Sequence, residues 1–370
     1  MATTAQPDEV TTSDSTASPT TARAWGVETY DTQLKPMTIE RRALRNDDVA
    51  IRITHCGICH SDLHMAHNDW GMSRYPMVPG HEIVGIVTGT GPDVTKYQVG
   101  DRVAVGCLVD SCQKCGQCHS GHEQFCAEGA TLTYSGTDRH DGSLTQGGYS
   151  DHVVVRQEFV LKLPDSLDIS RAAPLLCAGI TTYSPLKKYG VGPGKKVGVA
   201  GLGGLGHMGV KLAHALGAHV TMITTSPGKG DDARALGADE VLISKDPAAM
   251  EAATGTFDFI LDTIPVSHDV NPYLNLLAPN GAMVLVGAIE PLPSVHGAML
   301  AMRNRTLAGS LIGGLPETQE MLDFCGEHGI HPEIETIRID EVNEAYDRLV
   351  RGDVRYRFVI DVEAGIPAGE

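Results

Sequence analysis

The sequence contains no apolar run long enough to cross a bilayer, and its 370 residues carry a formal net charge of −17. A membrane-spanning helix needs about 20 consecutive apolar residues. Nucleic acids and anionic membranes are bound through clustered Lys and Arg, which an acidic chain lacks. We therefore expect neither a membrane nor a nucleic acid as a partner, and we expect a small molecule as the ligand.

No secretory signal is recognisable at the start of the chain. Residues 1–22, MATTAQPDEVTTSDSTASPTTA, are rich in Thr, Ser and Ala and have neither a basic start nor an apolar core. That composition predicts a disordered N-terminal tail rather than a signal peptide. We therefore expect a cytoplasmic protein, in which cysteine thiols stay reduced.

Four of the nine cysteines stand close together in the spacing C-x2-C-x2-C-x7-C: Cys112, Cys115, Cys118 and Cys126. Thiolates at this spacing can converge on one tetrahedral zinc ion, and four of them leave no position for a substrate. The pattern therefore predicts a structural zinc site. A pair of disulfides is the alternative, which the absence of a secretory signal disfavours.

The chain is long for a single core, and its pattern changes along its length. From about residue 25 to 160, short alternating stretches such as VAIRITHCG, HEIVGIVTGTG and DRVAVGC predict a β-rich, barrel-like domain. From residue 195, apolar strands such as KKVGVAG and FDFILDT alternate with helical stretches, which predicts an α/β domain with a parallel sheet. From about residue 316, a helical ETQEMLDFCGEHG precedes a strand-like RYRFVIDV that is able to return to the first domain.

A glycine-rich loop follows the first strand of the α/β part directly and precedes a helix. It has the pattern G-x-G-x-x-G and comprises Gly201, Leu202, Gly203, Gly204, Leu205 and Gly206. The first glycine permits a tight turn, the second lets a pyrophosphate approach the backbone, and the third lets helix and strand pack closely. In this strand–turn–helix context the motif predicts a dinucleotide site, whereas alone it would be an ordinary turn.

The residues after the next strand predict which nicotinamide cofactor binds. An NAD-preferring loop usually has Asp or Glu about 20 residues further on, bound to the ribose 2′-hydroxyl. This chain has Thr224, Thr225 and Ser226 there, with Lys229 just beyond. Hydroxyls and an ammonium group can donate to a 2′-phosphate, so we expect NADP(H) rather than NAD(H). The alternative is that Thr225 and Ser226 only cap the next helix.

Other possible metal ligands lie before and after the four cysteines. They are Cys59 in GICHSDLH, His81 and Glu82 in PGHEIVG, and Cys177 in APLLCAGIT. Two thiolates and one imidazole would hold a zinc ion and leave its fourth position free, so that the ion could act as a Lewis acid on a carbonyl or an alcohol. A single cysteine or histidine is more often a packing residue, so this prediction depends on their combination with the cofactor loop.

With these residues in place, the chain resembles the zinc-dependent medium-chain alcohol dehydrogenases, and within them the cinnamyl alcohol dehydrogenase group. GHEIVGIVTGTGPDV fits the zinc signature of the family. Segments of the group recur as HCGICHSDLH, YPMVPGHE, PLLCAGITTYSPL, GLGGLGHMGVKLA and DVRYRFVIDV. The resemblance extends over nearly all of the chain after the N-terminal tail.

The resemblance implies an α/β protein with a GroES-like β-barrel catalytic domain and a Rossmann domain built on a doubly wound parallel sheet. The expected divisions are 23–177 for the first part of the catalytic domain, 178–316 for the Rossmann domain, and 317–370 for the return to the catalytic domain. It also implies two zinc ions per chain, with Cys59, His81 and Cys177 as catalytic ligands and Glu82 as a supporting or exchangeable carboxylate. The expected assembly is a homodimer, or a tetramer.

The implied reaction is direct hydride transfer between the nicotinamide and a primary alcohol or aldehyde, and we expect it to run in the direction of aldehyde reduction. The accompanying proton needs a route to water. Ser61 stands two residues after Cys59, so its hydroxyl is predicted to pass the proton onward. By the family pattern, His64 and Asp69 carry it outward. A helix cap is the alternative for Ser61, and a plain surface residue the alternative for His64.

Two positions of the predicted substrate pocket depart from the plant enzymes that make lignin alcohols. Thr131 stands where those enzymes have an aromatic residue, and Trp70 stands where they tend to have an aliphatic one. These differences favour a broad range of aromatic and medium aliphatic substrates over a dedicated lignin pathway.

Three other classes of protein are the alternatives. A polyol dehydrogenase would usually replace Cys177 with a carboxylate, and a zinc-free quinone or enoyl reductase would lack both the four cysteines and the Gly-His-Glu segment. A non-catalytic sensor or scaffold derived from a dehydrogenase is the remaining alternative, and no position of the ligand set is broken to favour it.

Overall fold

The computed structural model describes residues 18–30, 32–287 and 290–365. The strands, in chain order, are β1 (Thr20–Gly26), β2 (Lys35–Arg41), β3 (Asp48–Ile58), β4 (Ile83–Thr90), β5 (Arg102–Val105), β6 (Leu108–Asp110), β7 (Thr131–Leu132), β8 (His152–Arg156), β9 (Leu161–Lys162), β10 (Lys196–Ala200), β11 (His219–Thr224), β12 (Glu240–Ile243), β13 (Phe257–Asp262), β14 (Leu277–Leu285), β15 (Thr306–Gly309), β16 (Ile334–Arg338) and β17 (Arg357–Asp361).

The α-helices of the described ranges are α1 (His60–His67), α2 (Gly116–His119), α3 (Ile169–Ala172), α4 (Ala178–Lys188), α5 (Gly206–Ala215), α6 (Gly230–Ala235), α7 (Pro247–Ala252), α8 (Asn271–Leu276), α9 (Gly297–Ala301), α10 (Leu315–His328), α11 (Val342–Val350) and α12 (Val362–Gly365). Short 3₁₀ helices connect several of these elements. None of the helices in the ranges above is both long and apolar enough to pass through a membrane.

Strands β10 to β15 form a parallel sheet, in the order β12-β11-β10-β13-β14-β15. Its central strands have almost no exposed positions, as expected of a sheet covered by helices on both faces. The strand order reverses beside β10, and ligands of doubly wound sheets bind at that reversal. The predicted α/β architecture with a doubly wound parallel sheet is therefore confirmed.

A mixed sheet forms the β-rich part, in the order β16-β17-β3-β4-β5-β9, with β8 pairing with β3. The pairs β3–β4, β3–β8 and β4–β5 are antiparallel. Strand β17 pairs antiparallel with β3, so the C-terminal RFVID segment lies beside the segment that precedes Cys59. This pairing brings residues 300 positions apart in the chain to one edge of the site described below.

The predicted disordered tail is wrong at its C-terminal boundary. Strand β1 begins at Thr20 and pairs antiparallel with β2, with Thr20 opposite Arg41. Ala22 is fully buried, so residues 20–22 belong to the fold because a partner strand supplies their backbone hydrogen bonds. The rest of the predicted tail, residues 1–17, lies outside the described residues.

Candidate active site

The glycine-rich loop connects β10 to α5 at the reversal of the strand order. Gly201 has φ +91°, a left-handed conformation that favours glycine. A Cβ on Gly203 would meet no atom within 4 Å, whereas a Cβ on Gly206 would collide with the carbonyl oxygen of Gly201. The loop therefore leaves open space at its second glycine and packs tightly at its third, which suits a pyrophosphate over the start of a helix.

The residues predicted to select NADP(H) lie next to this loop, at the end of β11. Lys229 Nζ donates to the carbonyl oxygen of Leu202, 3.1 Å away, so its ammonium group stands at the loop. Thr225 is exposed, and Thr224 accepts a hydrogen bond from the Ser226 amide. Ser226 precedes the 3₁₀ helix Pro227–Lys229, but its side chain makes no capping hydrogen bond. The capping alternative therefore lacks the bond it requires at Ser226.

Helix α1 positions Cys59. Cys59 is the N-cap of α1, and its sulfur accepts a hydrogen bond from the Ser61 amide while the Asp62 carboxylate accepts one from the Cys59 amide. The thiol is thus aimed at the helix N-terminus, where backbone dipoles favour a thiolate. Contacts with the side chains of Cys177 and His81 hold the pKa of Cys59 well below its usual value, against the effect of burial.

The structure brings Cys59, His81, Glu82 and Cys177 together, with one ligand atom of each within 4.8 Å of the others. The sulfurs of Cys59 and Cys177 are 3.9 Å apart. Tetrahedral zinc with Zn–S bonds of about 2.3 Å would separate two sulfurs by roughly 3.8 Å. All nine cysteines are free thiols, so neither of these two sulfurs forms a disulfide. The donor set therefore fits zinc.

Two buried residues that the sequence analysis did not single out support this cluster. Asp62 Oδ1 lies 2.9 Å from Nδ1 of His81 and accepts from the amide of Gly80. Arg357, at the start of β17, contacts Glu82 Oε1 and donates to the carbonyl oxygen of Ile58. Asp62 fixes the imidazole so that Nε2 is the nitrogen left for a metal.

The two oxygens of the Glu82 carboxylate differ in their surroundings. Its Oε1 faces Arg357, whereas Oε2 is buried and has no hydrogen-bond partner among the described residues. Burial raises the pKa of Glu82 to about 7, although the nearby Arg357 guanidinium opposes the rise. A buried carboxylate oxygen without a partner is costly, and a metal ion beside it would supply the missing charge.

Arg357 also links the cluster to the glycine loop. A Cβ placed on Gly204 would lie 2.8 Å from Arg357 Cδ, so the loop and the arginine are in contact. Arg357 thus touches the predicted cofactor loop on one side and Glu82 on the other. The predicted metal site and the predicted dinucleotide site are therefore neighbours.

The predicted relay residues lie at and beyond the start of α1. Ser61 Oγ is 3.6 Å from Cys59 Sγ, and Cys59 rather than Ser61 is the helix N-cap. Nδ1 of His64 is 2.7 Å from Asp69 Oδ2, and both side chains are partly exposed. The three residues thus run from the cluster toward solvent.

The two predicted pocket residues are placed differently. The Trp70 ring lies 5.2 Å from the His64 ring and is 37% exposed, so it stands beside the relay. Thr131 is buried in β7, which pairs with β6, and its hydroxyl donates to the carbonyl oxygen of Thr137.

The second cluster unites Cys112, Cys115, Cys118 and Cys126, whose sulfurs all lie within 4.8 Å of one another. Backbone amides donate to these sulfurs, including that of Ala127 to Cys115 at 3.4 Å. This bond and the Cys118 amide lower the pKa of Cys115 to about 6. Four converging sulfurs with amide donors fit a closed structural zinc site.

Known proteins resemble this chain over nearly its whole length. Residues 45–165 match the alcohol dehydrogenase GroES-like domain, and residues 204–327 match the zinc-binding dehydrogenase domain. The NADP-dependent alcohol dehydrogenase C 1 of Mycolicibacterium smegmatis is 52% identical over 92% of this chain and 98% of its own length. The aldehyde reductase YahK of Escherichia coli is 52% identical over 92% of this chain and 97% of its own.

A solved structure agrees with these relatives. The cinnamyl alcohol dehydrogenase SbCAD4 of Sorghum bicolor superimposes with a TM-score of 0.91 and 47% identity, covering 95% of this chain and 100% of the sorghum chain. The predicted GroES-like and Rossmann-type architecture is thereby confirmed, as is the resemblance from which it was inferred. The chain belongs to the zinc-dependent medium-chain alcohol dehydrogenases, in the group of the cinnamyl alcohol dehydrogenases.

Proposed function

We propose that this protein interconverts primary alcohols and aldehydes, both aromatic and medium aliphatic, by hydride transfer with NADP(H), and that it works as an aldehyde reductase. The proposal depends on the sulfurs of Cys59 and Cys177, which lie 3.9 Å apart beside His81. Arg357 lies between this cluster and the glycine loop. Three candidate metal ligands beside a candidate dinucleotide site support a zinc-dependent carbonyl reductase.

Two groups would be held by the residues described above. Cys59, His81 and Cys177 would hold a catalytic zinc ion, and the four-cysteine cluster would hold a structural one. When bound, the catalytic ion supplies Lewis-acid polarisation of the substrate oxygen. The residues of the chain hold the ligands in place and exclude water, because His81, Glu82 and Cys177 are all buried.

The preference for NADP(H) is supported by what surrounds the end of β11. No carboxylate occupies the positions 224–226 to repel a 2′-phosphate. The Thr225 side chain is exposed, and the Lys229 ammonium lies beside Leu202 of the loop. Both groups are therefore available to donate to a phosphate, which accepts charge-assisted hydrogen bonds.

The proton route begins at Ser61. Its hydroxyl lies next to the Cys59 sulfur, so it would be placed to donate a proton to the oxygen of a substrate beside the cluster and to take up another proton from the solvent side. His64 is oriented by Asp69 and partly exposed, so it can exchange the proton with water. Trp70 lies in the same region and is the candidate aromatic residue of the substrate pocket. Thr131 is the second candidate pocket residue.

We further propose that the protein is a cytoplasmic homodimer, with a tetramer as the larger alternative. Strand β15 lies at an edge of the parallel sheet, and Thr306 and Gly309 at its two ends are exposed. Leu311, just beyond it, is 58% exposed. Within the described ranges no strand pairs with the outer edge of β15, and such an edge with apolar neighbours favours pairing with a second copy. The proposed division is residues 178–316 for the cofactor domain and 317–370 for the return.

The test is to load the protein with zinc, mix it with NADPH and either benzaldehyde or hexanal, and follow the loss of NADPH absorbance. We expect both aldehydes to be reduced and Cys177→Ser to abolish the reaction. Activity confined to secondary alcohols or polyols would refute the substrate range. An inert protein that still binds zinc and NADPH would instead identify a non-catalytic sensor or scaffold.

A further inference from the structure

His207, the second residue of α5, is a fully buried histidine beside the glycine loop. Its Nδ1 lies 3.3 Å from the carbonyl oxygen of Gly203, and its Nε2 lies 3.4 Å from the amide nitrogen of Glu333. A carbonyl oxygen can only accept and an amide N–H can only donate, so the ring carries its proton on Nδ1 and accepts at Nε2. Burial lowers the pKa of His207 to about 3, which keeps this ring neutral.

The C-terminal part of the chain holds the imidazole of His207 in place. The ring of Tyr356 stacks on it, with the two centroids 5.1 Å apart and the planes 14° apart. The Tyr356 amide donates to the carbonyl oxygen of Glu333, 3.0 Å away, while the amide of Glu333 donates to Nε2 of His207. The three residues therefore contact one another, and groups outside α5 fix the direction of the ring.

This ring fixes the peptide group between Gly203 and Gly204. The Gly203 carbonyl accepts from His207 twice, from its backbone amide at 3.0 Å and from Nδ1. Both hydrogen bonds turn the carbonyl toward α5. The peptide bond between the two glycines is trans, so the N–H of Gly204 points in the opposite direction from that carbonyl. It is therefore aimed beyond the start of α5, where a phosphate group would bind.

The start of α5 has both room and donors for such a group. A Cβ on Gly203 would lie in open space, so a ligand can approach the backbone there. Within the described part of the chain, the N-cap Leu205 supplies no side-chain hydrogen bond and the first turn holds no acidic residue. The first amides of a helix need acceptors from outside the helix, and the oxygens of an anion are suitable.

We propose that His207 is a positioning residue for the dinucleotide, which holds the Gly203 carbonyl and so directs the Gly204 N–H toward the pyrophosphate. NADPH and NADH share the pyrophosphate, so His207 should strengthen the binding of both, whereas Lys229 should strengthen that of NADPH alone. The inference rests on the proposed function in one respect, since the glycine loop is taken to hold the pyrophosphate.

The experiment compares two substitutions that separate the two hydrogen bonds of the ring. The side chain in His207→Asn places an amide N–H near the position of Nδ1, so a donor to Gly203 is retained. The longer side chain in His207→Gln places its amide group near the position of Nε2, so the partner of Glu333 is retained and the donor to Gly203 is lost. His214→Gln, at an exposed position of the same helix, is the matched control.

Dissociation constants are measured on the full-length, zinc-loaded protein for NADPH, NADH and adenosine 2′-monophosphate, which has a 2′-phosphate but no pyrophosphate. For His207→Gln we expect NADPH and NADH to bind more weakly by the same factor, about fivefold or more, because one hydrogen bond that orients the loop is lost. Binding of adenosine 2′-monophosphate and the content of two zinc ions per chain should not change. His207→Asn should stay within about twofold of the parent, and His214→Gln should match it.

Parental dissociation constants for both coenzymes in His207→Gln would overturn the inference. Equal weakening in His207→Asn and His207→Gln, or equal weakening for adenosine 2′-monophosphate, would also overturn it, because the effect would then not come from the bond to Gly203. Should one of the two variants fail to fold, the other still decides by the result given for it. A parent protein that binds neither coenzyme would instead refute the proposed function, and this inference with it.

Discussion

Asp62 Oδ1 lies 2.9 Å from Nδ1 of His81, while the other oxygen of the same carboxylate accepts from the amide of Cys59. One buried side chain thus orients two of the proposed zinc ligands. The Tyr149 hydroxyl lies 3.4 Å from Oδ2 and completes its surroundings. Partners of this kind fix the tautomer and direction of a metal-binding histidine.

Replacing Asp62 with Asn should therefore weaken zinc binding at the catalytic site. The side-chain amide of Asn would place an N–H group against the N–H donors that now face the carboxylate. Loss of a carboxylate that orients a metal ligand typically lowers metal affinity by about 10- to 100-fold. Dialysis against a graded chelator, followed by metal analysis, should leave the variant with one zinc ion where the parent keeps two. Equal retention of both ions would contradict the role given to Asp62.

Ser61→Ala should slow turnover by about 100-fold, the lower range for loss of a group that transfers a proton. The zinc content should not change, because Ser61 binds Cys59 through its backbone amide. Ser61→Thr retains the hydroxyl and is the rescuing variant. Measured kcat values equal to the parent's in Ser61→Ala would exclude the proposed relay.

Lys229→Ala should raise the KM for NADPH by about tenfold or more and leave that for NADH nearly unchanged, since a hydrogen bond to a charged group contributes roughly 1.5–3 kcal/mol. The comparison is made at equal concentrations of the two coenzymes. A parent protein that clearly prefers NADH would show that the residues after β11 do not select for the 2′-phosphate.

His207, directly after the glycine loop, should make the fold sensitive to acid. Burial lowers its pKa to about 3, with Arg357 and Lys211 adding to the effect. Between pH 6.5 and 3 the unfolded chain binds a proton that the native protein does not, so stability falls as pH falls, by up to about 1.4 kcal/mol per pH unit. Above pH 6.5 the histidine is neutral in both states and contributes no pH dependence.

The measurement is the free energy of unfolding in denaturant at several pH values for the parent and His207→Gln. The free energy of unfolding of the parent, relative to that of His207→Gln, should increase as the pH rises and level off near pH 6.5. His214→Gln, an exposed position on the same helix, is the control. A constant difference between pH 4.5 and 7.5 would contradict a buried neutral imidazole.

Much of this site was readable from the sequence because its signals are local. The four cysteines occupy one short segment whose spacing predicts a zinc site, and the glycine loop occupies another whose strand–turn–helix context predicts a dinucleotide site. Cys59, His81 and Cys177 are separated by up to 118 residues, so their grouping into one set depended on the nearby cofactor loop and on the family segments around them. The β-rich and parallel-sheet halves followed from alternation and from continuous apolar runs.

Asp62 and Arg357 were missed for physical reasons. Asp62 forms a capping box with Cys59, but cysteine is not among the usual N-cap residues, so the helix start was hidden. Arg357 stands in a buried strand, and its partner Glu82 lies 275 residues away. A charge inside an apolar strand does indicate a buried partner, and that signal could have been used. The predicted boundary of the N-terminal tail was wrong for a similar reason, because β1 depends on pairing with another strand, β2.

In the proposed reaction, a hydride passes from the nicotinamide, held at the glycine loop, directly to a carbonyl carbon beside the ligand cluster. The decisive measurement is reduction of benzaldehyde by NADPH deuterated at carbon 4, in its two stereoisomeric forms, with the benzyl alcohol examined by mass spectrometry. One form should deliver its deuterium to the carbinol carbon and the other should deliver none. Alcohol without deuterium from either form would contradict direct transfer.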